Sequence, residues 1–487
     1  MNQFPSSCSQ FPARQGFSLA PNSSPDSVLF PGSRFPVLSS RNQELRTDLK
    51  LAALKGAHFI ILGLGRAGYA AARALLKAGA LISGYDDNAQ IWETPKIKSL
   101  LAQGLKRWEN LNLNLAPTFT VIASPGFPSS HNLIRFFEDR GVPVLDELDF
   151  ASQFLPGPII AVTGTNGKST TVAMIAAILK QAGSKVFMGG NLAPGRPLSD
   201  ALLLKPRDYY VVEISSFQLQ RSRFIAPKIA VILNITPDHL DRHKTFANYV
   251  RAKAQILKRQ TENDWAVLNY DDPTVRKMAH LGRAKKIFFS TRRLASVPRS
   301  AFRLPLLLPL PLPLPVHLDN AIAAITAVSL LGVSPRAIKA ALKKFKGLKH
   351  RLEVIRCRHG VTYINNSMCT NPASGIRCLE TFPKKVILIT GGKEKNLMLR
   401  DYLKTIVRRT KWVILLGENS PKLSAGLTRL GFHRWQIVQT MRDAVQTASQ
   451  KATPGDIVLL SPGFASFDMF SDFQARGRAF KNEVNRL

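Results

Sequence analysis

The segment AVTGTNGKSTTVAM, residues 161–174, contains the residue types that bind the phosphates of a nucleotide. Free N–H groups at a helix start bind anions, a lysine reaches the terminal phosphates, and a hydroxyl group faces Mg²⁺. The spacing is G-x-x-G-K-S, two residues shorter than the usual phosphate loop. An incidental lysine after a glycine turn is the alternative, but an apolar strand before the loop and a helix after it favour nucleotide binding. We therefore predict a phosphate site formed by Gly164, Thr165, Asn166, Gly167, Lys168, Ser169 and Thr170.

Other polar residues follow apolar runs later in the chain. Glu213 ends the run YYVVE, and a glutamate buried at a strand end is costly without a cation or a hydrogen-bond network. We therefore predict that Glu213 binds Mg²⁺. His239 follows VILNITPD, where a loop histidine satisfied by hydrogen bonds is the simpler interpretation. Lys253 lies in the predicted helix YVRAKAQILK and, taken alone, is interpreted as a solvated charge.

A second glycine pattern lies nearer the N-terminus. Gly63, Gly65 and Gly68 are in G-x-G-x-x-G order between a predicted strand and helix, which is typical of a dinucleotide-binding βαβ unit. Asp86 lies 18 residues beyond Gly68, compatible with a ribose contact of any nucleotide, so the pattern leaves the ligand open. A further predicted strand, FTVIA, ends in a Ser-Pro-Gly turn at residues 124–126.

The elements that position these residues form three successive α/β blocks. Short apolar runs bounded by helices, such as YYVVE, IAVILNIT and KVILIT, predict strands buried on both faces. We predict a leader at residues 1–55 and domains at 56–151, 152–347 and 348–487. The leader's composition is that of a disordered tail or a plastid-type transit peptide, and we favour the tail. The segment LPLLLPLPLPLPV, residues 304–316, predicts an extended connector because its prolines exclude a helix.

Composition narrows the classes of function. The chain has 67 Lys and Arg against 32 Asp and Glu, a net charge of +35, which attracts polyanions. The basic residues are scattered and form no nucleic-acid signature, so a nucleic-acid partner is not expected. The sequence contains no run of about 18 apolar residues, so it predicts no membrane span. The four cysteines form no C-x-x-C pair, which favours a reducing compartment.

Seven motifs together resemble the Mur ligase family: GTNGKST, VVEISSFQL, LNITPDHLDRH, YVRAKAQI, HRLE, NNSMCTNP and LLSPGFASFDMFSDFQARG. The resemblance extends from about residue 56 to residue 487, and SSFQL with SP-x-x-ASFD-x-F points to the branch that adds D-glutamate. It implies an α/β fold with a Rossmann-like N-terminal domain, a central P-loop ATPase domain and a Rossmann-like C-terminal domain. The shortened phosphate loop is the form that this family uses.

The resemblance also implies a reaction. ATP phosphorylates the carboxylate of UDP-N-acetylmuramoyl-L-alanine, and the amine of D-glutamate attacks the acyl phosphate. The cofactors are then ATP and Mg²⁺, since phosphoryl transfer depends on positioning and charge neutralisation. The setting implied is peptidoglycan synthesis in a bacterial cytoplasm, with a plastid as the minority option, and we expect a monomer.

Roles follow for individual residues by the same resemblance. Lys168, His239 and Lys253 are implied as catalytic, and Ser169, Glu213, His239 and Lys253 as Mg²⁺ ligands. Lys253 binds a cation only if it is modified, since an ammonium group has no lone pair; the family carries a carbamylated lysine there. Asn320, Arg351 and Asn366 join the phosphate loop as ATP contacts. The implied substrate-binding residues are, for the UDP substrate, Gly63, Gly65, Arg66, Asp87, Asn88, Ser124, Pro125, Gly126, Asn191 and Gln218, and, for the amino acid, Thr370, Lys395, Ser466 and Phe473.

The chain departs from the family pattern in one segment above all. The family has N-D-S-K-A-T-N where this chain has NNSMCTN, so Asn366 replaces an aspartate and Met368 a lysine. The amide oxygen of Asn366 still accepts a hydrogen bond, whereas Met368 removes a charge from the amino-acid pocket. Lys393 is a candidate to compensate. Two alternatives stay open: a ligase of altered amino-acid specificity, and a non-catalytic basic scaffold that keeps the fold.

Overall fold

The computed structural model describes residues 51–108, 119–192, 195–291, 318–345, 347–394 and 399–487. The predicted leader, apart from residues 51–55, and the Leu/Pro connector lie outside the described residues, as does Lys395. Within the described ranges, three β-sheets follow one another along the chain, each flanked by helices.

The strands are short and mostly buried along their whole length. They are β1 His58–Leu62, β2 Leu81–Tyr85, β3 Leu105–Arg107, β4 Phe119–Ala123, β5 Val144–Asp146, β6 Ile159–Thr163, β7 Val186–Gly190, β8 Tyr209–Glu213, β9 Ile229–Ile232, β10 Trp265–Asn269, β11 Lys285–Phe289, β12 Glu353–Arg358, β13 Val361–Asn365, β14 Val386–Thr390, β15 Thr410–Leu416, β16 Trp435–Val438 and β17 Ile457–Leu460.

The helices cover the faces of the sheets. They are α1 Arg66–Lys77, α2 Pro95–Ala102, α3 Asn132–Asp139, α4 Glu147–Ser152, α5 Lys168–Gln181, α6 Ser216–Arg221, α7 Leu240–His243, α8 Phe246–Ala254, α9 Pro273–Arg276, α10 Leu318–Ser329, α11 Pro335–Lys344, α12 Pro372–Glu380, α13 Arg400–Arg409, α14 Ser420–Arg429, α15 Met441–Lys451 and α16 Phe473–Arg486.

The first sheet has the order β3-β2-β1-β4-β5 and is parallel throughout. The chain runs outward in one direction from β1 and in the other from β4, so the order reverses between these two neighbours. Ligands of open α/β sheets bind outside the carboxyl ends of the strands at such a reversal. Both predicted substrate turns, at Gly63 and at Ser124, follow these two strands.

The second sheet has the order β11-β10-β9-β6-β8-β7 and is also parallel. Three adjacent strands, β9, β6 and β8, end at the same edge. The phosphate loop follows β6, Glu213 ends β8, and the segment leading to His239 follows β9. Pairing of parallel strands therefore gathers residues that are up to 75 positions apart in the chain, as Gly164 and His239 are.

The third sheet has the order β12-β13-β17-β14-β15-β16, in which only the β12–β13 pair is antiparallel. The segment with Asn366 and Met368 follows β13, and the Ser461–Ser466 segment follows the adjacent β17. The predicted amino-acid site thus also lies at the carboxyl edge of a parallel sheet.

The cores are apolar and are built from the strands that the sequence predicts. Helix α5 packs against α10 and α11 through Val172, Ile175 and Ile178, which are fully buried. The α/β class and the multi-domain architecture are confirmed, whereas the exact domain boundaries stay a prediction. Among the described residues, no helix combines the length and the apolar character that crossing a bilayer requires.

Five strands were not predicted from the sequence: β3, β5, β7, β12 and β16. Strands β3 and β5 have three residues each, too few to show a period, and β16 exposes two of its four residues. Short or exposed strands lack the continuous apolar run that makes a buried strand visible.

Candidate active site

The phosphate loop is held in shape by hydrogen bonds to the segment after β9. The backbone N–H of Asn166 donates to Asn234 Oδ1 at 2.8 Å, and Thr165 N donates to the carbonyl of Asn234 at 2.8 Å. Gly167 has a φ of 84°, in the left-handed region, and immediately precedes α5. A side chain at Gly167 would collide with the amide of Asn320, so the predicted nucleotide residue Asn320 packs directly on the loop.

Lys168 folds back over its own loop. Its ammonium group donates to the carbonyls of Gly164 and Thr165, both at 3.0 Å. Burial lowers the pKa of Lys168, and attraction to Glu213 partly offsets this effect. The cation is therefore poised at the mouth of the loop, where phosphate oxygens would exchange with the two carbonyls.

Ser169 and Glu213 form the pair expected of a Mg²⁺ site. The Ser169 hydroxyl donates to Glu213 Oε2 at 2.5 Å, and Asn191 Nδ2 donates to Glu213 Oε1 at 3.2 Å. Glu213 is 4% exposed. Hydroxyl and carboxylate oxygens are the ligands that Mg²⁺ prefers. Among the described residues, this buried carboxylate accepts hydrogen bonds from neutral donors, Ser169 and Asn191, so the pair fits the ion.

Lys253 is buried beneath the phosphate loop, which corrects its interpretation as a solvated charge when taken alone. The side chain is among the largest that are fully buried, with 1% of the residue exposed. Its Nζ donates to the carbonyl of Gly164 at 2.9 Å and lies 4.8 Å from the ring centre of Tyr249. Burial, followed by repulsion from Lys168, lowers the pKa of Lys253 well below its ordinary value.

His239 lies at the rim of the same site. Its backbone has a φ of 53°, an uncommon conformation for a non-glycine residue, and its ring packs 4.9 Å from that of Phe217. The neighbouring Asp238 is 3.5 Å from Arg377 Nη1 in α12. Among the described residues, no hydrogen bond joins His239 to Lys253, and no group of three or more His, Cys, Asp or Glu residues forms a metal-binding cluster.

A cleft of about 1240 Å³ lies between the domains of the second and third sheets and is lined by residues of both. Eight of the ten predicted ATP contacts line it, together with His239; Gly164 and Ser169 lie behind the surface. The eight are Thr165, Asn166, Gly167, Lys168, Thr170, Asn320, Arg351 and Asn366. Met368 and Arg377 line the opposite wall.

The opposite wall holds Asn366 and Met368, two of the residues that depart from the family pattern. Asn366 donates through Nδ2 to Cys378 Sγ at 3.1 Å and to Ser461 Oγ at 3.2 Å, and its Oδ1 accepts from Leu352 N at 3.3 Å. The amide is thus engaged by the protein on both sides, in addition to facing the cleft. Burial raises the pKa of Cys378 to about 12, so its thiol stays protonated.

Arg351 extends into the cleft from the turn before β12. Its Nη1 is buried and has no hydrogen-bond partner among the described residues. Burial lowers the pKa of Arg351, whereas Glu213 favours its charged form. A buried guanidinium nitrogen without a partner is the donor that an incoming phosphate oxygen would satisfy.

Of the predicted amino-acid residues, the three that the structure describes, Thr370, Ser466 and Phe473, do not line this cleft. Ser466 is 2% exposed, Thr370 is exposed, and the carbonyl of Phe473 accepts from Ser367 Oγ at 2.8 Å. Lys393, the candidate for compensation, pairs instead with Glu418 at 2.8 Å on the exposed surface.

Arg476 is the residue that sequence reasoning missed in this region. Its guanidinium donates to Ser367 Oγ through Nε and to the carbonyls of Ser367 and Phe464 through Nη2, each at 3.0 Å. It therefore joins the two segments in which the amino-acid residues were predicted. The motif DFQARG contains it, but nothing in the local pattern distinguishes it from an exposed helical arginine.

Eight of the ten predicted UDP-substrate residues follow β1, β2 or β4 at the carboxyl edge of the first sheet, whereas Asn191 and Gln218 belong to the second sheet's domain. Asp86 accepts from the backbone N–H of Leu64 at 2.6 Å and of Asn88 at 2.9 Å, so its carboxylate braces the glycine turn. Arg66 Nη2 donates to the carbonyl of Leu192, one residue beyond Asn191. Gln218, 1% exposed, closes a capping box with Ser215 at the start of α6.

The chain is similar to known families and proteins. A family model described as the Mur ligase middle domain matches residues 162–304, and one described as Mur ligase, glutamate ligase domain, matches residues 350–464. A UDP-N-acetylmuramoylalanine--D-glutamate ligase of Pelotomaculum thermopropionicum is 37% identical over 448 residues, covering 88% of this chain and 97% of the relative. A relative of the same name from Caldanaerobacter subterraneus is 35% identical, covering 89% of this chain and 99% of the relative.

Solved structures of low identity share the fold. UDP-N-acetylmuramate-alanine ligase MurC from Thermotoga maritima aligns with a TM-score of 0.55 and 19% identity, covering 88% of this chain and 99% of that one. MurF ligase from Thermotoga maritima, solved in complex with ADP, aligns with a TM-score of 0.52 and 16% identity, covering 91% and 99%. At these identities the likeness supports the architecture alone.

Proposed function

The chain belongs to the Mur ligase family, and from that premise we propose that it couples ATP hydrolysis to the joining of D-glutamate and UDP-N-acetylmuramoyl-L-alanine in peptidoglycan synthesis. The relatives that carry this activity in their names align with 88–89% of this chain at 35–37% identity. The scaffold alternative is not favoured, because the phosphate loop, Glu213 and Lys253 all meet at one edge of one sheet.

One observation carries the proposal: a single cleft is lined on one side by the phosphate loop and on the other by Arg351, Asn366 and Met368. A ligase that activates a carboxylate must hold the nucleotide and both organic substrates together. Two walls contributed by different sheets provide that arrangement, and closure of the domains would bring the reacting groups into line.

The protein's residues act mainly by neutralising and orienting charge. Lys168 and Arg351 approach the cleft from opposite walls and are the donors for the transferred phosphoryl group. The terminal phosphoryl group passes to the carboxylate of the UDP substrate, and the amine of D-glutamate then displaces phosphate from the acyl phosphate. Such transfer depends on positioned cations more than on covalent help from the protein.

Ser169 and Glu213 are the proposed ligands of the nucleotide's Mg²⁺, and His239 with a carbamylated Lys253 the ligands of a second. Bound Mg²⁺ would neutralise the charge that develops on the phosphoryl oxygens. Lys253 suits carbamylation because burial holds the pKa of its amine low, and only the neutral amine reacts with CO₂.

We propose that the nucleotide sugar binds at the carboxyl edge of the first sheet and that D-glutamate binds near Ser367 and Arg476. The first site has the glycine turn and the Ser-Pro-Gly turn on adjacent strands. The second has the buried guanidinium of Arg476 beside the segments of Thr370, Ser466 and Phe473. We also propose that the reaction takes place in the cytoplasm, because its substrates would be ATP and a nucleotide sugar.

The test is phosphate release from ATP by the full-length chain with UDP-N-acetylmuramoyl-L-alanine and a panel of D- and L-amino acids. We expect release that requires both the nucleotide sugar and D-glutamate. Release with another amino acid alone would support altered specificity, and release indifferent to the amino acid would overturn the proposal. Lys180→Ala, an exposed lysine in the same helix as Lys168, is the matched control for Lys168→Ala.

A further inference from the structure

Arg221 is the last residue of α6 and reaches from the second sheet's domain to the first. Its Nη2 donates to the carbonyl of Phe127 at 2.7 Å and to Ser129 Oγ at 2.9 Å. Both acceptors lie in the turn that begins at Ser124, which follows β4 at the carboxyl edge of the first sheet. One guanidinium nitrogen therefore joins this turn to the helix that also carries Gln218.

The surroundings of Arg221 shield these two hydrogen bonds from solvent. The side chain is largely desolvated, which lowers its pKa, while Asp146 and Glu138 favour its charged form and Arg242 opposes it. Asp146 uses Oδ1 to cap α4 at Leu148 N, and its Oδ2 has no hydrogen-bond partner among the described residues. Charge-assisted hydrogen bonds in such a setting are stronger than neutral ones.

Two other contacts join the same pair of sheets without touching the turn. Asp149 accepts from the backbone N–H groups of Arg223, Phe224 and Ile225 at 2.6–2.9 Å. Arg66 donates to the carbonyl of Leu192. Since these contacts remain when Arg221 is replaced, loss of Arg221 should release the 124–129 turn without separating the two domains.

We propose that Arg221 is a positioning residue for the nucleotide sugar, holding the 124–129 turn in the orientation that binds the substrate. The inference rests on the proposed function, since it concerns the site that would hold UDP-N-acetylmuramoyl-L-alanine. Arg221 does not touch the reacting atoms; it fixes the turn relative to Gln218 and the phosphate loop. Ordering the turn in advance lowers the entropic cost of binding.

The test compares Arg221→Met with the full-length wild type in steady-state ligation, together with calorimetric titration of UDP alone. We expect the KM for the nucleotide sugar and the Kd for UDP to rise about 10- to 100-fold, the effect of losing charged hydrogen bonds. The KM values for ATP and D-glutamate and the kcat should stay within about twofold, because other residues are proposed to bind these two substrates. Arg221→Lys keeps the charge and should recover part of the loss.

Arg223→Met is the matched control, an exposed arginine two positions away whose backbone, not its side chain, contacts Asp149. It should behave as wild type. Equal increases in all three KM values with a lower Tm would make Arg221 a structural residue only, and unchanged UDP binding would also overturn the proposal. If the wild type shows no ligation, the proposed function fails, while the UDP titration still decides whether Arg221 positions the turn.

Discussion

The two walls of the cleft satisfy their polar groups in different ways. On the phosphate-loop wall, Lys168 and Lys253 both donate to the carbonyl of Gly164, and Ser169 donates to Glu213. On the facing wall, Asn366 is engaged by neutral partners, Met368 is apolar, and one guanidinium nitrogen of Arg351 has no partner within the described part of the chain. The first wall is organised before ligands bind, whereas the second depends on ligands to complete it.

The segment with Asn366 and Met368, where the sequence departs most from the family pattern, lies on the second wall. The phosphate-loop residues constrain one another, so a change at one position would unpair another. The facing wall contributes single side chains from separate turns, and a substitution there alters ligand contacts with less effect on the rest of the protein. We therefore expect changes to the first wall to abolish activity and changes to the second to retune it.

The largest effect is expected from Lys168→Ala. Removing a preorganised cation from the path of phosphoryl transfer should lower kcat/KM at least about 10²- to 10³-fold. Phosphate release measured with both substrates tests this, with Lys180→Ala as the control. A loss of less than tenfold would mean that the loop lysine is dispensable and that the two walls do not differ in the way described.

Lys253→Met should lower activity about 100-fold while changing the pH dependence of stability. The folded state lowers the pKa of Lys253 well below its ordinary value, and in the unfolded chain that value is about 10.4. Between the two pKa values the unfolded state binds more protons, so this lysine makes the wild type less stable as pH falls. The methionine variant lacks this contribution.

The free energy of unfolding of the wild type should therefore fall relative to that of the methionine variant as pH falls from about 10 to 7. Urea denaturation in CO₂-free buffer measures both. Lys258→Met, an exposed lysine nearby, should show no such shift. A constant difference across this range would mean that Lys253 is solvated in solution. Added bicarbonate should favour the wild type alone if the amine is carbamylated.

Met368→Lys tests the second wall. Restoring a cation there should lower the KM for D-glutamate about 10-fold, within the range expected of one charged hydrogen bond, with little change in the KM for ATP. Met368→Leu keeps the apolar character and should leave the KM unchanged. A lysine that improves no amino acid in the panel would indicate that Arg476 and Arg351 already provide the charge for this pocket.

The sequence predicted the first wall far better than the second, for a physical reason. A phosphate loop is one contiguous segment between a strand and a helix, so its residues and their roles appear together. Lys253 was predicted to be a ligand only through the family resemblance, because its burial depends on a helix packing beneath the loop. Arg377 and Arg476 lie on helices, and their contacts with Asp238 and Ser367 come from tertiary packing, which no local pattern reveals.

The smallest effect is expected from Arg377→Met, which removes the ion pair with Asp238 that joins the two walls. The pair is partly exposed, with 36% and 19% of the two side chains accessible, so its contribution to stability should be below about 1 kcal/mol. Arg377 also faces Lys168 and Arg351, which both lose a repulsive neighbour in the variant. We therefore expect the unfolding free energy to change little and the KM for ATP to rise no more than about threefold, since two cations remain for the phosphates.

Arg408→Met, which removes an exposed pair with Glu380 at the end of the same helix, is the control. A loss of activity as large as that of Lys168→Ala would place an essential cation on the second wall and contradict the division between them.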